Sequence, residues 1–278
     1  MVITSYSKIN LSLIVNSKLN NGLHQIQSLY CWIDLSDKIK ITKIKKNKDK
    51  IIFKGPFSNL VKNKNNTISI LLKKLRVLKL ISSNYSISIT KNIPVFGGLG
   101  GGTSNAAFLL KYLLKNKFKK NLLKKVEPYI GSDLKLFFKK QGFLENLKTV
   151  INLKKKQKFH FLLIQPKVKC STTEIFANVR KLSKKEKFST SLINSRLKFM
   201  NYLSKSRNDL QFIVERKHPI VKKLLSDINN AEGCYLSRMT GSGSVCYGLF
   251  NDKNDAKKAF KKLKKRYPKF WFSLAKTV

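Results

Sequence analysis

Between residues 85 and 114 the spacing of apolar positions changes period. In YSISIT, Ile87 and Ile89 fall on one side and Ser86, Ser88 and Thr90 on the other, the alternation of a half-buried strand. Further on, Ala106, Leu109, Leu110, Leu113 and Leu114 recur at helical spacing and lay one apolar stripe along a helix. Thr103, Ser104 and Asn105 stand where an N-cap for that helix belongs. Near the N-terminus Ile9, Leu11, Leu13 and Val15 alternate with Lys8, Asn10 and Ser12, predicting an early strand that sets Lys8 and Asn10 side by side.

The same reading extends along the chain. KIKITKI and KIIFKG predict strands, TISILLKKLRVLKL a helix, and NLLKKVEPYI a helix broken near Pro128. FHFLLIQP predicts a buried strand, PIVKKLLSDINNAE a helix, VCYGLF a strand, KNDAKKAFKKLKKR a helix with a solvated lysine face, and FWFSLA a last strand. Mixed elements of this kind predict an α+β fold. No internal repeat is visible. The basic stretch NLKKKQKF, residues 152–159, reads as an exposed connection that divides the chain into residues 1–153 and 154–278.

Between the strand and the helix, five of the six residues 97–102 are glycine. A helix N-terminus presents unpaired N–H groups and the positive end of the macrodipole. Glycines let the backbone approach a phosphate closely enough for successive N–H groups to reach its oxygens. A disordered linker does not usually end in a cap and an amphipathic stripe. The run is therefore a candidate phosphate cradle, of neither best-known kind. Thr103 stands where a P-loop needs lysine, and a dinucleotide fingerprint finds no register.

Charge changes the picture less than its size suggests. The formal net charge is +44, which raises the question of a nucleic-acid partner. Yet of the 58 basic residues 7 are Arg and 51 are Lys, spread over the whole length, whereas nucleic-acid sites enrich Arg. Abundant Lys, Asn and Ile together point to compositional drift of the coding sequence. The reading is no specific nucleic-acid partner. Cys31, Cys170, Cys234 and Cys246 have no C-x-x-C spacing, and His24, His160 and His218 lie far apart, so no zinc site or disulfide framework is indicated. No apolar run reaches membrane-spanning length, and no signal-peptide core is present.

Several short blocks then carry a family resemblance. PVFGGLGGGTSNAA resembles the glycine-rich phosphate motif of the GHMP kinases, small-molecule kinases without a Walker lysine, and SRMTGSGSVCYGLF, residues 237–250, is similar to their second glycine motif. YSKINLSL, NGLHQIQS and GSDLKLFF resemble A-K-L-N-L, D-G-Y-H and G-A-D-V-P-F-F of the 4-diphosphocytidyl-2-C-methyl-D-erythritol kinases within that superfamily. QPKVKCSTTEIF, RNDLQ and HPIV extend the likeness over nearly the whole chain.

The resemblance implies a two-domain GHMP kinase fold with an N-terminal ribosomal-protein-S5-domain-2-like layer, a C-terminal ferredoxin-like layer and an active site in the cleft between them. It implies ATP as co-substrate with Mg2+, and phosphorylation of the 2-hydroxyl of a cytidine-diphosphate conjugate of methylerythritol on the non-mevalonate isoprenoid route. Matched by position, Lys8 and Asp133 are the catalytic pair, and Asn10, His24 and Phe176 touch the substrate. Pro94, Val95, Phe96, Gly97, Gly98, Leu99, Gly100, Gly101, Gly102, Thr103 and Ser104 surround the ATP phosphates. The metal ligands stay open, with Thr103 and Ser104 as candidates. A cytoplasmic monomer or homodimer off the membrane is expected, and organelle targeting is not, since Lys8 leaves no room for a removable leader. The alternatives are a mevalonate- or homoserine-type GHMP kinase, or a catalytically impaired relative that binds nucleic acid.

The chain also departs from the family pattern. Leu23 replaces a tyrosine expected against the cytosine, Phe96 brings a bulky ring beside the nucleotide, and Lys135 replaces a proline after Asp133. A further glycine-rich loop is not recognisable in KKQGFLENLKTV.

Overall fold

The computed structural model describes residues 1–62, 64–115 and 120–278. Its strands are β1 (Val2–Asn10), β2 (Ile14–Lys18), β3 (His24–Ile44), β4 (Lys50–Lys54), β5 (Asn84–Thr90), β6 (Gln141–Leu144), β7 (Val150–Asn152), β8 (His160–Gln165), β9 (Cys234–Met239), β10 (Cys246–Phe250) and β11 (Trp271–Lys276). The α-helices are α1 (Thr67–Val77), α2 (Gly101–Leu114), α3 (Lys120–Ile130), α4 (Thr172–Ala177), α5 (Arg196–Lys205), α6 (Gln211–Lys217), α7 (Pro219–Asn229) and α8 (Lys253–Arg266). The fold is α+β. Contacts group Met1–Lys8, Leu35–Val95 and Gly100–Lys139 into one unit, and Ile9–Asp34, Phe96–Leu99 and Lys140–Val278 into a second.

In the first unit, the C-terminal part of β3 pairs antiparallel with β5, and β4 pairs parallel with β5. The registers Ile39↔Ile89 and Ile41↔Ile87 bring four buried isoleucines together. Helix α1 turns Ile68, Leu71, Leu72 and Leu75 inward and packs on α2 and α3. Its start is fixed by Asn66, whose Oδ1 accepts from the N–H groups of Ile68 and Ser69 at 3.1 and 3.0 Å, a cap worth about 1 kcal/mol. Pro128 lies inside α3, and the helix runs on to Ile130 rather than breaking. Pro128 supplies no N–H to the helical ladder, and the helix ends two residues later, before Gly131.

The second unit holds a four-stranded antiparallel sheet in the order β11-β8-β10-β9, with α7 against β9 and β10 and α8 against β8, β10 and β11. Phe161, Leu162, Leu163 and Ile164 of β8 are all buried, which is why that strand reads as a continuous apolar run. Helix α8 buries Ala256, Ala259 and Leu263, and its lysines face outward as the pattern predicts. The stretch 152–159 is only partly the exposed connection expected. Lys154, Lys155 and Lys156 are exposed, but Leu153, Gln157 and Phe159 are buried. The Gln157 backbone N–H donates to Gln141 Oε1 at 2.9 Å, and its side-chain amide to the Ile193 carbonyl at 3.1 Å.

The early strand differs from expectation as well. β1 stops at Asn10 and β2 starts at Ile14, and every residue from Ser7 to Val15 is buried, so the alternation there does not separate core from solvent. The Leu11 and Ser12 N–H groups both turn to the Leu29 carbonyl, and Arg238 donates to the Leu11 carbonyl. A buried arginine thus satisfies the backbone where strand pairing is interrupted.

Candidate active site

Helix α2 begins two residues before the expected caps. Gly100, at φ +69°, is the N-cap, and among the described residues no side chain caps this helix. Thr103, Ser104 and Asn105 lie inside the first turns. Ser104 and Asn105 are buried and look inward instead of back along the helix: Ser104 bonds the Ser5 hydroxyl at 2.7 Å and donates to the Tyr6 carbonyl, while Asn105 donates to Asp37. The first N–H groups of α2 are therefore not consumed by a cap.

Lys8 and Asp133 come together in this unit. Lys8 Nζ lies 3.4 Å from Asp133 Oδ2, with the lysine side chain 3% exposed and the aspartate 32%. A Cβ added at Gly100 would sit 3.3 Å from Lys8 Cε and 2.9 Å from the Phe137 ring, so only glycine fits at the head of α2 beside this pair. Asp133 is placed by Gly131, at φ +131°, and by the 3₁₀ turn Ser132–Phe138 anchored through buried Leu134, Leu136 and Phe137. Lys111 on α2 holds the far end of that turn by donating to the Phe137 carbonyl, and burial pushes its ammonium down to about 8. Lys135, at the family's proline position, pairs with Glu127. Burial raises the Glu127 carboxyl, against the lowering effect of Lys135 and with a smaller raising effect from Asp133.

In the second unit, residues 96–99 interlock with the second glycine motif. The Phe96 and Gly97 carbonyls accept from the N–H groups of Ser244 and Val245 at 3.0 and 3.4 Å. A Cβ at Gly98 would overlap the Thr240 carbonyl oxygen. Phe96 is 47% exposed at φ +58°. Asn208 of RNDLQ, buried, donates to the Met239 and Gly241 carbonyls at 2.8 Å each. Asn10 spans the two blocks: its backbone N–H donates to Thr240 Oγ1 at 3.0 Å and its amide to Ser28 Oγ at 2.7 Å.

His24 and Phe176 meet in the same unit, with ring centroids 5.3 Å apart and planes tilted by 33°. Burial, with the Lys18 charge second, holds His24 below the ordinary imidazole value. Leu23 beside it is 50% exposed. Residues 139–150 form no glycine-rich loop. β6 and β7 pair as a hairpin whose turn is closed by Asn146, accepting from Lys148 and Thr149.

Sequence reading missed Asp37 and Lys91, an ion pair buried beside the glycine run. A lone acid and a lone base 54 residues apart carry no motif. The only available signal was an Asp inside a strand pattern, where that residue is depleted.

An ammonium and a partly exposed carboxylate beside a bare, uncapped helix N-terminus suit transfer of an anionic group to a hydroxyl. The carboxylate can orient the hydroxyl and accept its proton, and the ammonium and N–H groups can stabilise charge on the transferred group. Comparison with known proteins defines the class. The GHMP kinases N terminal domain model matches residues 59–129 and the GHMP kinases C terminal model matches residues 190–269. The fold is similar to a crystal structure of 4-(cytidine 5'-diphospho)-2C-methyl-D-erythritol kinase, with TM-score 0.75 over 99% of both chains at 20% identity. In sequence the chain is 38% identical to a 4-diphosphocytidyl-2-C-methyl-D-erythritol kinase of Pelagibacter ubique, covering 99% of this chain and 98% of that one. It is 31% identical to the Anaplasma marginale protein of that name, covering 97% and 94%. The chain belongs to the 4-diphosphocytidyl-2-C-methyl-D-erythritol kinase family of GHMP kinases.

Proposed function

We propose that this chain transfers the γ-phosphoryl group of ATP to the 2-hydroxyl of 4-diphosphocytidyl-2-C-methyl-D-erythritol, on the non-mevalonate route to isoprenoid precursors. The observation that carries the reading is the Lys8–Asp133 pair at the glycine that heads α2. Full-length similarity to relatives of that name supports the substrate. Residues 1–153 act as the N-terminal kinase domain and 154–278 as the C-terminal one, and the two family-model matches fall on either side of that division. The enzyme works in the cytoplasm as a monomer or homodimer.

In this reading residues 94–104 surround the ATP phosphates through backbone N–H groups. Phosphoryl transfer has a loose transition state, so positioning and charge stabilisation supply most of the catalysis. Asp133 orients the acceptor hydroxyl. It takes the proton late, once bonding to phosphorus has made that oxygen far more acidic. Lys8 keeps the carboxylate in place and offsets charge as it develops. Asn10, His24 and Phe176 bind the cytidyl substrate, with the Phe176 ring available to stack on the base.

Mg2+ bound with ATP neutralises phosphate charge. A side-chain oxygen beside the phosphate loop would help to hold it. Of the two candidate hydroxyls, Ser104 is bonded to Ser5 and Tyr6, which leaves Thr103 as the better fit.

The test is ADP release by the purified chain with ATP, Mg2+ and the diphosphocytidyl substrate. Turnover with that substrate alone supports the proposal. Turnover with mevalonate or homoserine in its place overturns the substrate assignment, and none with any acceptor overturns the kinase reading.

A further inference from the structure

Asp37, on β3, is fully buried and has no part in the chemistry above. Its Oδ1 accepts from the backbone N–H groups of Asn92 at 2.7 Å and Ile93 at 2.9 Å. Its Oδ2 accepts from Asn105 Nδ2 at 3.0 Å and from Lys91 Nζ. A carboxylate offers about four lone-pair sites, so its acceptor capacity is filled.

The four donors come from opposite ends of one feature. Residues 91–93 are where the chain enters the glycine run, and Asn105 lies where it leaves along α2. Gly101 is wedged against the same cluster, since a Cβ there would meet Ile93 Cγ2 at 3.0 Å and Lys91 Nζ at 3.4 Å. Glycines permit the close backbone approach that a polyphosphate requires, but they contribute no side chain that could hold the loop still. A loop that stabilises charge must be set in advance, because reorganisation at the moment of reaction lowers the benefit. The Asp37 cluster ties both ends of the run to the sheet, and Lys91 neutralises the acid so that no uncompensated negative charge lies near an incoming nucleotide.

We infer that Asp37 is a positioning residue for ATP: it fixes the entry and exit of the glycine run, and so governs the use of nucleotide much more than the use of the alcohol substrate. This rests on the reading of residues 94–104 as the phosphate loop. Asp37→Asn tests it. The amide keeps the size, but its NH2 faces donors in either orientation and leaves Lys91 without its carboxylate.

Steady-state kinetics with each substrate varied, beside a thermal melt, give the readout. The expected result is a KM for ATP raised about tenfold or more, with the KM for the diphosphocytidyl substrate within about threefold of wild type. If Asp37→Asn does not fold, Asn105→Ala removes only the tie to α2 and shifts the KM for ATP in the same direction by a smaller factor. Equal shifts in both KM values, or a lower melting temperature with both unchanged, overturn the inference. A wild-type chain that neither binds ATP nor releases ADP instead overturns the phosphate-loop reading beneath it.

Discussion

Two lysine–aspartate pairs lie in the same unit near the start of α2, and they are built in opposite ways. Asp37 is fully buried and takes four hydrogen bonds. Asp133 keeps a third of its side chain exposed, with the Lys8 ammonium 3.4 Å away. A saturated carboxylate has nothing left to offer a substrate and is suited to holding the backbone. An exposed one retains lone pairs for an incoming hydroxyl, at some cost in rigidity. The contrast teaches that residue type and charge partner do not distinguish support from chemistry. Acceptor capacity still open to solvent does.

The largest effect on stability should separate the pairs most sharply. Asp37→Ala removes a fully buried carboxylate from four donors, Lys91 among them, and is expected to cost about 3–5 kcal/mol, whereas Asp133→Ala removes a partly exposed carboxylate 3.4 Å from buried Lys8 and should cost less. Urea unfolding of both variants measures this, and equal losses would erase the distinction. Next comes the glycine beside the second pair. Gly100→Ala adds left-handed strain of about 1–2 kcal/mol to a Cβ held against Phe137 and Lys8, while Gly22→Ala, with no atom within 4 Å of its Cβ position, bears the strain alone. A raised KM for ATP should accompany the first substitution and not the second.

A smaller effect concerns Lys111, which braces the turn carrying Asp133. Burial lowers its ammonium from 10.5 to about 8. Below about 8 both folded and unfolded chains hold the proton and the folded state bears the full cost. Between about 8 and 10.5 the unfolded chain binds a proton that the folded chain has released, so this group's contribution to stability rises with pH. Unfolding free energies of wild type relative to Lys111→Met across that window should show the rise, and a flat difference would contradict it. The smallest effect is expected at Leu23→Tyr, which restores an aromatic next to His24. Stacking worth up to about 1–3 kcal/mol in nucleic-acid complexes should lower the KM for the cytidyl substrate, with the KM for ATP unchanged.

Much of this was readable in the sequence where local and tertiary demands agree. KNDAKKAFKKLKKR coincides with α8 because its apolar stripe is also its buried face, and Asp252 caps it by accepting from Asn254 and Asp255. VCYGLF and FHFLLIQP are strands for the same reason. Local pattern was overridden where tertiary contacts supply what the segment lacks. The run from Lys8 to Val15 alternates, yet it is buried throughout and split at Leu11, where Arg238, 227 residues away, satisfies the carbonyl. Thr103 to Asn105 have the chemistry of caps, but Gly100 starts the helix earlier and Ser104 and Asn105 are drawn to β1 and Asp37. The candidate pair Lys8 and Asp133 was legible only because both sit in recognisable blocks. Asp37 was not, because its donors lie 54 to 68 residues away and none forms a motif with it.

The central claim is that Asp133, beside Lys8 at the head of α2, serves the transfer step itself. Rapid-quench single turnover with γ-labelled ATP and the diphosphocytidyl substrate, on wild type and Asp133→Asn at matched nucleotide occupancy, tests it most directly. The account predicts ATP binding at wild-type affinity with transfer slowed about 10²–10⁴-fold. An Asp133→Asn chain that transfers the label at the wild-type rate would contradict it.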